Sequence, residues 1–254
     1  MVFEFPKVIS RLLKWFWRRK YFFILLFTIN FFIWMFCLPE RLFYEPTCTV
    51  LKDNTGAILG ARIADDGQWR FPPSNSVPDK FERAIIEFED RDFKSHSGIS
   101  FKAFGRAIKQ NISEGKVVSG GSTITMQTIR LSRKGRSRSY WEKLIEVYMS
   151  TRLEWRLTKS EILRLYASNA PMGGNVVGVE AASWRYFGRS AHELSWAEAC
   201  LLAVLPNAPS LMHPGKNRAK LKAKRNRLLK RLHNENVIDD VDYELALMES
   251  LPEK

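Results

Sequence analysis

The chain has 254 residues, with 40 Lys and Arg against 27 Asp and Glu for a formal charge of +13, and is 45% apolar and 26% charged. This composition excludes a disordered or low-complexity chain, and the length leaves room for one large domain with a small accessory, not for two full-size domains. Cys37, Cys48 and Cys200 are too few and too widely spaced for a disulfide framework or a Cys-based zinc cage, and the four histidines show no paired metal spacing.

Residues 1–20 carry Lys7, Arg11, Lys14, Arg18, Arg19 and Lys20 against Glu4. Residues 21–38, YFFILLFTINFFIWMFCL, hold no charge and at about 1.5 Å per residue cover roughly 27 Å, enough for a bilayer. The positive-inside rule predicts a cytoplasmic basic tail over 1–20, a retained transmembrane anchor over 21–38 and an exported remainder. Residues 39–78 form a membrane-proximal linker. Within it, Thr-Val-Leu and Ala-Ile-Leu flank an Asn54-Thr55-Gly56 turn, and Asp66-Gly67 supplies another, the pattern of a small β-meander.

From 79 to 254 the signals are helical. Phe81, Ala84, Ile85 and Phe88 recur at i, i+3, i+4 and i+7. If that helix runs on to His96, then Glu89, Phe93 and His96 share a face at an apolar edge, where desolvation raises a carboxyl pKa toward the range of a general base. An amphipathic surface glutamate is the alternative. Gly120-Gly121-Ser122-Thr123 precedes a helix whose free N–H groups favour an anion, with Arg130, Arg133, Lys134, Arg136 and Arg138 downstream. Either a phosphate site or a flexible turn with a solvated basic face fits. A helix from about Tyr140 to Arg156 has Trp141, Leu144, Ile145 and Tyr148 as its apolar stripe, with Glu142 and Glu146 together off it. Thr158 with Glu161 and Ser195 with Glu198 form capping boxes, and residues 216–231 are strongly basic.

The stretches E-D-R-D-F-K-S-H-S-G at 89–98, G-G-S-T-I-T-M-Q at 120–127, K-L-I-E at 143–146 and K-S-E-I-L-R-L-Y at 159–166 occur in that order. Together they resemble the peptidoglycan glycosyltransferase family 51 domain of class A penicillin-binding proteins and monofunctional transglycosylases. N-A-P-M-G-G at 169–174 and L-A-V-L-P-N-A-P-S at 202–210 most resemble the 1C type. The resemblance covers roughly residues 47–235.

It implies a mainly α, lysozyme-like glycosyltransferase fold with a small β-containing, membrane-proximal jaw region, preceded by one transmembrane helix, in the bacterial cytoplasmic membrane with the catalytic domain on the outer side. It implies polymerisation of lipid II, with a growing glycan chain on polyprenyl pyrophosphate as donor. Glu89 matches the general base and Glu146 the second essential carboxylate, for which a role with a divalent cation, Mg or Mn, follows from the family. Asp90, Phe93, His96, Gly121, Ser122, Thr123, Gln127, Arg130, Arg138 and Lys143 match substrate-binding positions. The implied partners are lipid II, the glycan chain, anionic membrane lipid and a separate transpeptidase.

Glu142 stands where the family usually has Arg, which puts local phosphate binding in question. The S-x-x-K match from Ser113 to Lys116 lacks K-T-G or S-x-N companions, so no transpeptidase domain is expected in this chain. A lysozyme-like hydrolase would share the fold and the glutamate but leaves the Gly-Gly-Ser-Thr segment unexplained. A non-catalytic membrane-anchored scaffold is a rival from another class; an exported, basic chain without a nucleic-acid motif argues against nucleic acid.

Overall fold

A computed structural model describes residues 15, 17–115, 121–134, 136, 139–207 and 214–253, apart from the side chains of residues 108 and 111. The basic tail up to residue 14, Gly120 and Arg138 lie outside the described residues. The chain divides into two compact units, residues 1–40 and 41–254.

The first unit contains α1 (Lys20–Met35), 16 residues none of which is buried. It is shorter than the 21–38 span, and among the described residues no helix is long and apolar enough to cross a membrane.

The second unit is mainly helical. β1 (Thr49–Lys52) and β2 (Ile58–Arg62) pair antiparallel around the expected turn. There Asp53 Oδ1 accepts from the N–H groups of Thr55 and Ala57 at 2.8 and 2.9 Å, and Gly56 takes φ +89°. The third strand departs from a meander. β3 (Trp69–Arg70) pairs in parallel with the distant β4 (Val176–Val177). Arg70 holds this crossing by donating from Nη1 to Pro46 O at 2.7 Å and Asp66 Oδ2 at 3.0 Å.

The helices are α2 (Asp79–Glu89), α3 (Phe101–Ser113), α4 (Ile124–Ser132), α5 (Tyr140–Arg156), α6 (Lys159–Asn169), α7 (Val179–Phe187), α8 (Trp196–Val204), α9 (Arg218–Asn234) and α10 (Asp240–Met248). Both predicted capping boxes form, at Thr158–Glu161 and Ser195–Glu198. The hub is α8. Its Ala197 and every residue from Ala199 to Val204 are buried, as the apolar run after Glu198 requires, and each enclosed Leu contributes about 1.5–3 kcal/mol. Against α8 lie α2, through Phe81, Ala84 and Ile85, and α9, through Leu221, Leu228, Leu229 and Leu232. α4 packs on α5 and α6.

Two expectations are corrected. α2 stops at Glu89, because Asp90 leaves helical geometry at φ −158°, so Phe93 and His96 lie in the following turns and share no helix face with Glu89. On α5 the buried face is Glu146, Met149, Ser150 and Leu153, whereas Trp141 and Leu144 are 76% and 57% exposed. The packing surface offered by α4 selects the face that carries the glutamate, leaving the more apolar stripe outside.

Candidate active site

Glu89 ends α2, and its two carboxylate oxygens differ. Oε2 accepts from Gln127 Nε2 at 2.8 Å, while Oε1 is shut off from solvent with no hydrogen-bond partner. Burial raises the Glu89 pKa above the ordinary carboxylate range. Gln127, Lys224 and Arg130 pull it back in part, and Asp90 adds to the rise. An enclosed carboxylate with one unpaired oxygen is equipped to take a proton from a hydroxyl.

Asp90 ties the turn after α2 to the start of α4. Its Oδ2 accepts from Ile124 N at 2.9 Å and its carboxylate meets His96 Nε2 at 3.0–3.1 Å, while His96 Nδ1 accepts from Gly98 N at 3.1 Å. Thr123 caps α4, accepting from Met126 N at 3.1 Å and donating to Gly98 O at 2.7 Å. The negative charge at this helix N-terminus is therefore Asp90 itself. That corrects the expectation that free N–H groups there await a ligand anion. Phe93 is buried behind the turn, with Lys159 Nζ 4.5 Å from its ring centre. Lys159 also donates to His96 O at 2.6 Å and pairs with Glu154 at 2.7 Å.

From α4, Gln127 and Arg130 project at i and i+3, clear of the buried face formed by Ile124, Thr125, Met126, Thr128 and Ile129. Arg130 grips Glu146 with both arms of its fork, Nε to Oε1 at 2.7 Å and Nη2 to Oε2 at 2.8 Å. Glu146 in turn holds the guanidinium more firmly protonated. Lys143 donates to Ser122 Oγ and lies 3.8 Å from Glu146, and Arg130 Nη2 reaches Ser122 Oγ at 3.4 Å. Ser122, Arg130, Lys143 and Glu146 thus form one polar cluster with net positive charge. Gly121 permits it: a Cβ there would come within 3.0 Å of the Phe104 Cα. Glu142 pairs with Arg133 at 3.0–3.2 Å, so its charge is cancelled locally.

Both Glu146 oxygens are engaged by Arg130, and among the described residues no group of three or more His, Cys, Asp or Glu could hold a metal ion. This arrangement does not fit a resident cation at Glu146.

Three participants escaped the sequence reading. Tyr166 is 1% exposed, its hydroxyl has no hydrogen-bond partner, and burial together with the Glu89 charge drives its pKa well up. Gly98 takes φ +91° where its neighbour is the Ser150 backbone. Lys224 of α9 exchanges charge influence with Glu89 and donates to Asn207 Oδ1 at 2.8 Å. The helical spacing of Tyr166 reads as core, and Lys224 is hidden in a run of like charges.

Residues 56–233 match the sequence model of the family described as Transglycosylase. The chain is 42% identical over 173 residues to penicillin-binding protein 1C of Escherichia coli, covering 67% of this chain and 22% of that one. It is 34% identical over 194 residues to penicillin-binding protein 1A of Pseudomonas aeruginosa, covering 76% and 24%. A putative transglycosylase of Cupriavidus necator is 35% identical over 181 residues, covering 71% of this chain and 78% of that one. The crystal structure of penicillin-binding protein 1A from Haemophilus influenzae is similar at a TM-score of 0.46 and 23% identity, over 82% of this chain and 21% of that one. The chain spans about a quarter of the length of the penicillin-binding proteins it matches. With the family match covering most of the chain, and with its ordered motifs brought together around Glu89, the protein belongs to the transglycosylase family.

Proposed function

We propose that the chain polymerises lipid II into β-1,4 glycan strands, with Glu89 as general base. The 4-hydroxyl oxygen of the acceptor sugar forms the new bond to the donor anomeric carbon. Its proton passes to the unpaired Oε1 of Glu89, and the anomeric C–O bond breaks with inversion to release polyprenyl pyrophosphate as a stable anion. Such a leaving group needs positive charge more than it needs a general acid. The cluster of Ser122, Arg130 and Lys143 supplies that charge, with Arg138 as a further phosphate contact. Glu146 acts by orienting Arg130. The observation that carries the reading is the Glu89 carboxylate, held by Gln127 at 2.8 Å on one oxygen and enclosed without partner on the other.

In this reading the helical unit is a lysozyme-like glycosyltransferase domain with a membrane-proximal jaw, anchored by residues 21–38 with the catalytic side outside the cytoplasm. Phe101, Phe104, Ile112, Tyr140 and Trp141 are 55–94% exposed, a density of apolar surface that supports work against a membrane carrying anionic lipid. The glycan product would pass to a separate transpeptidase. The test is incubation of the purified chain with labelled lipid II. Long glycan products support transfer, shortened preformed glycan would mean hydrolysis, and no change with either would mean a scaffold. A reporter active only outside the cytoplasm should work when fused after residue 254 and fail at residue 1; the reverse pattern would overturn the topology.

A further inference from the structure

The charge of the chain reverses after Arg231. Residues 232–253 contain seven Asp and Glu and no Lys or Arg, in a protein whose formal charge is +13. α10 lies in this stretch. Its inner face is the buried Ala246, with Tyr243 and Leu247 half-buried beside it. Tyr243 stacks on His233 of α9 with ring centres 4.5 Å apart, and Trp196 Nε1 of α8 donates to Asp242 Oδ2 at 3.0 Å. The helix is thus seated on its neighbours by its smaller side, and the opposite side carries apolar residues in water. Val241, Leu245 and Met248 are 67%, 56% and 78% exposed.

These three stand at i, i+4 and i+7, the spacing of a coiled-coil seam. With about 3.6 residues per turn, Glu244 falls beside the stripe on one flank and Asp242 on the other. In a helix pair those flanks are the places from which charged side chains reach across to the partner. Among the described residues no ion pair engages Asp242 or Glu244, while Asp240, further round from Glu244, meets His233 Nε2 at 2.7 Å.

We propose that the outer face of α10 docks a basic amphipathic helix of a separate protein. The apolar seam of that helix covers Val241, Leu245 and Met248, and its Lys or Arg side chains pair with Asp242 and Glu244. Charge decides between the occupants. A second copy meeting through this face would set acid against acid, and an anionic lipid surface would be repelled by the same residues. Covering the stripe removes apolar area from water that α10 alone leaves exposed. A nine-residue helix presents between two and three turns, so the contact belongs with small, reversible interfaces. The face contributes no residue to the candidate active site, and the assignment stands apart from the transfer reading.

The probes are two fluorescent three-heptad peptides with Leu at every a and d position, one with Lys and the other with Glu at every e and g position. Each is titrated with the full chain in neutral detergent, at concentrations where the peptides are monomeric. The lysine peptide should bind and the glutamate peptide should not. Leu245→Gln/Met248→Gln keeps good helix formers at exposed positions, so its unfolding midpoint should match the wild type while the lysine peptide binds about tenfold more weakly. Glu244→Lys should weaken the lysine peptide about threefold and strengthen the glutamate peptide. Failure of the lysine peptide to bind, equal binding of both peptides, or wild-type binding by both variants would overturn the docking site. So would a change of occupant. A dimer in sedimentation equilibrium that the double variant abolishes would put a second copy on the stripe, and lipid labelled in anionic vesicles from a photoreactive group at position 245 would put the membrane there. Lipid II turnover by the double variant in neutral detergent should equal that of the wild type, and a loss would assign the stripe to substrate instead of a partner.

Discussion

Among the carboxylates of the candidate site and its neighbours, Asp90, Glu142 and Glu146 are satisfied by paired donors, and Glu89 keeps an enclosed oxygen without one. Because burial raises its folded pKa, protonation switches off the base at a higher pH than for an ordinary glutamate. The acid limb of kcat/KM for lipid II should therefore lie above the usual carboxylate range. Gln127 donates to the charged form and lowers the pKa, so Gln127→Ala should move that limb to still higher pH; a limb that stays in place would show that Glu89 is not the titrating group. Glu89→Gln should reduce polymerisation by about 10² to 10⁴-fold. It should also stabilise the fold at neutral pH. A raised carboxyl pKa means that stability is present while the group is neutral and is lost as pH rises through the folded pKa, so the variant's advantage in urea should vanish as pH falls below the ordinary carboxylate range. A destabilised variant at pH 7 would contradict the burial argument. The stretch around Glu89 is readable because it is local; the setting of its carboxylate is not, since the partner of Oε2, Gln127, stands 38 positions further along the chain.

At the scale of elements, start signals were legible and helix faces were not. Thr158, Ser195 and their partners three residues on announce their helices, because capping is settled within one turn. The stripe of Trp141 and Leu144 misled, because which face of α5 turns inward is decided by α4, and α4 offers Arg130 to Glu146. The turn after α2 was read as more helix, since nothing in its composition shows that Asp90 must bend away to reach Ile124 N. Gly98 is the residue on which that bend depends. A Cβ there would lie 2.9 Å from Ser150 C and O in a backbone region that L side chains rarely adopt. Gly98→Ala should cost about 1–3 kcal/mol of stability. By moving the N–H that holds His96, it should also loosen Asp90 and cut turnover more than the stability loss alone explains. Wild-type turnover and an unchanged unfolding midpoint would show that the turn does not set the site.

For the molecule as a whole, the question is how the formal +13 is shared between chemistry, packing and membrane attraction. The basic stretch 216–231 is uniform as a string of letters, and the fold divides it. Arg225 is 1% exposed and donates from Nη1 to Glu249 O at 2.8 Å, fastening the segment after α10, while Lys224 lies within electrostatic reach of Glu89. Lys220, Lys222 and Lys230 remain exposed, and they are among the residues left to meet anionic lipid. Each contributes about 1 kcal/mol near such a surface, screened within about 10 Å at 0.1 M salt. The triple variant Lys220→Gln/Lys222→Gln/Lys230→Gln, reconstituted in vesicles rich in anionic lipid, should therefore show a shallower fall of lipid II turnover with added salt than the wild type. In neutral detergent the two proteins should turn over lipid II at the same rate, because none of the three lysines reaches the Glu89 cleft. Equal salt dependence in anionic vesicles would return these lysines to ordinary solvated charge, and a loss of rate in detergent would place them in the substrate path.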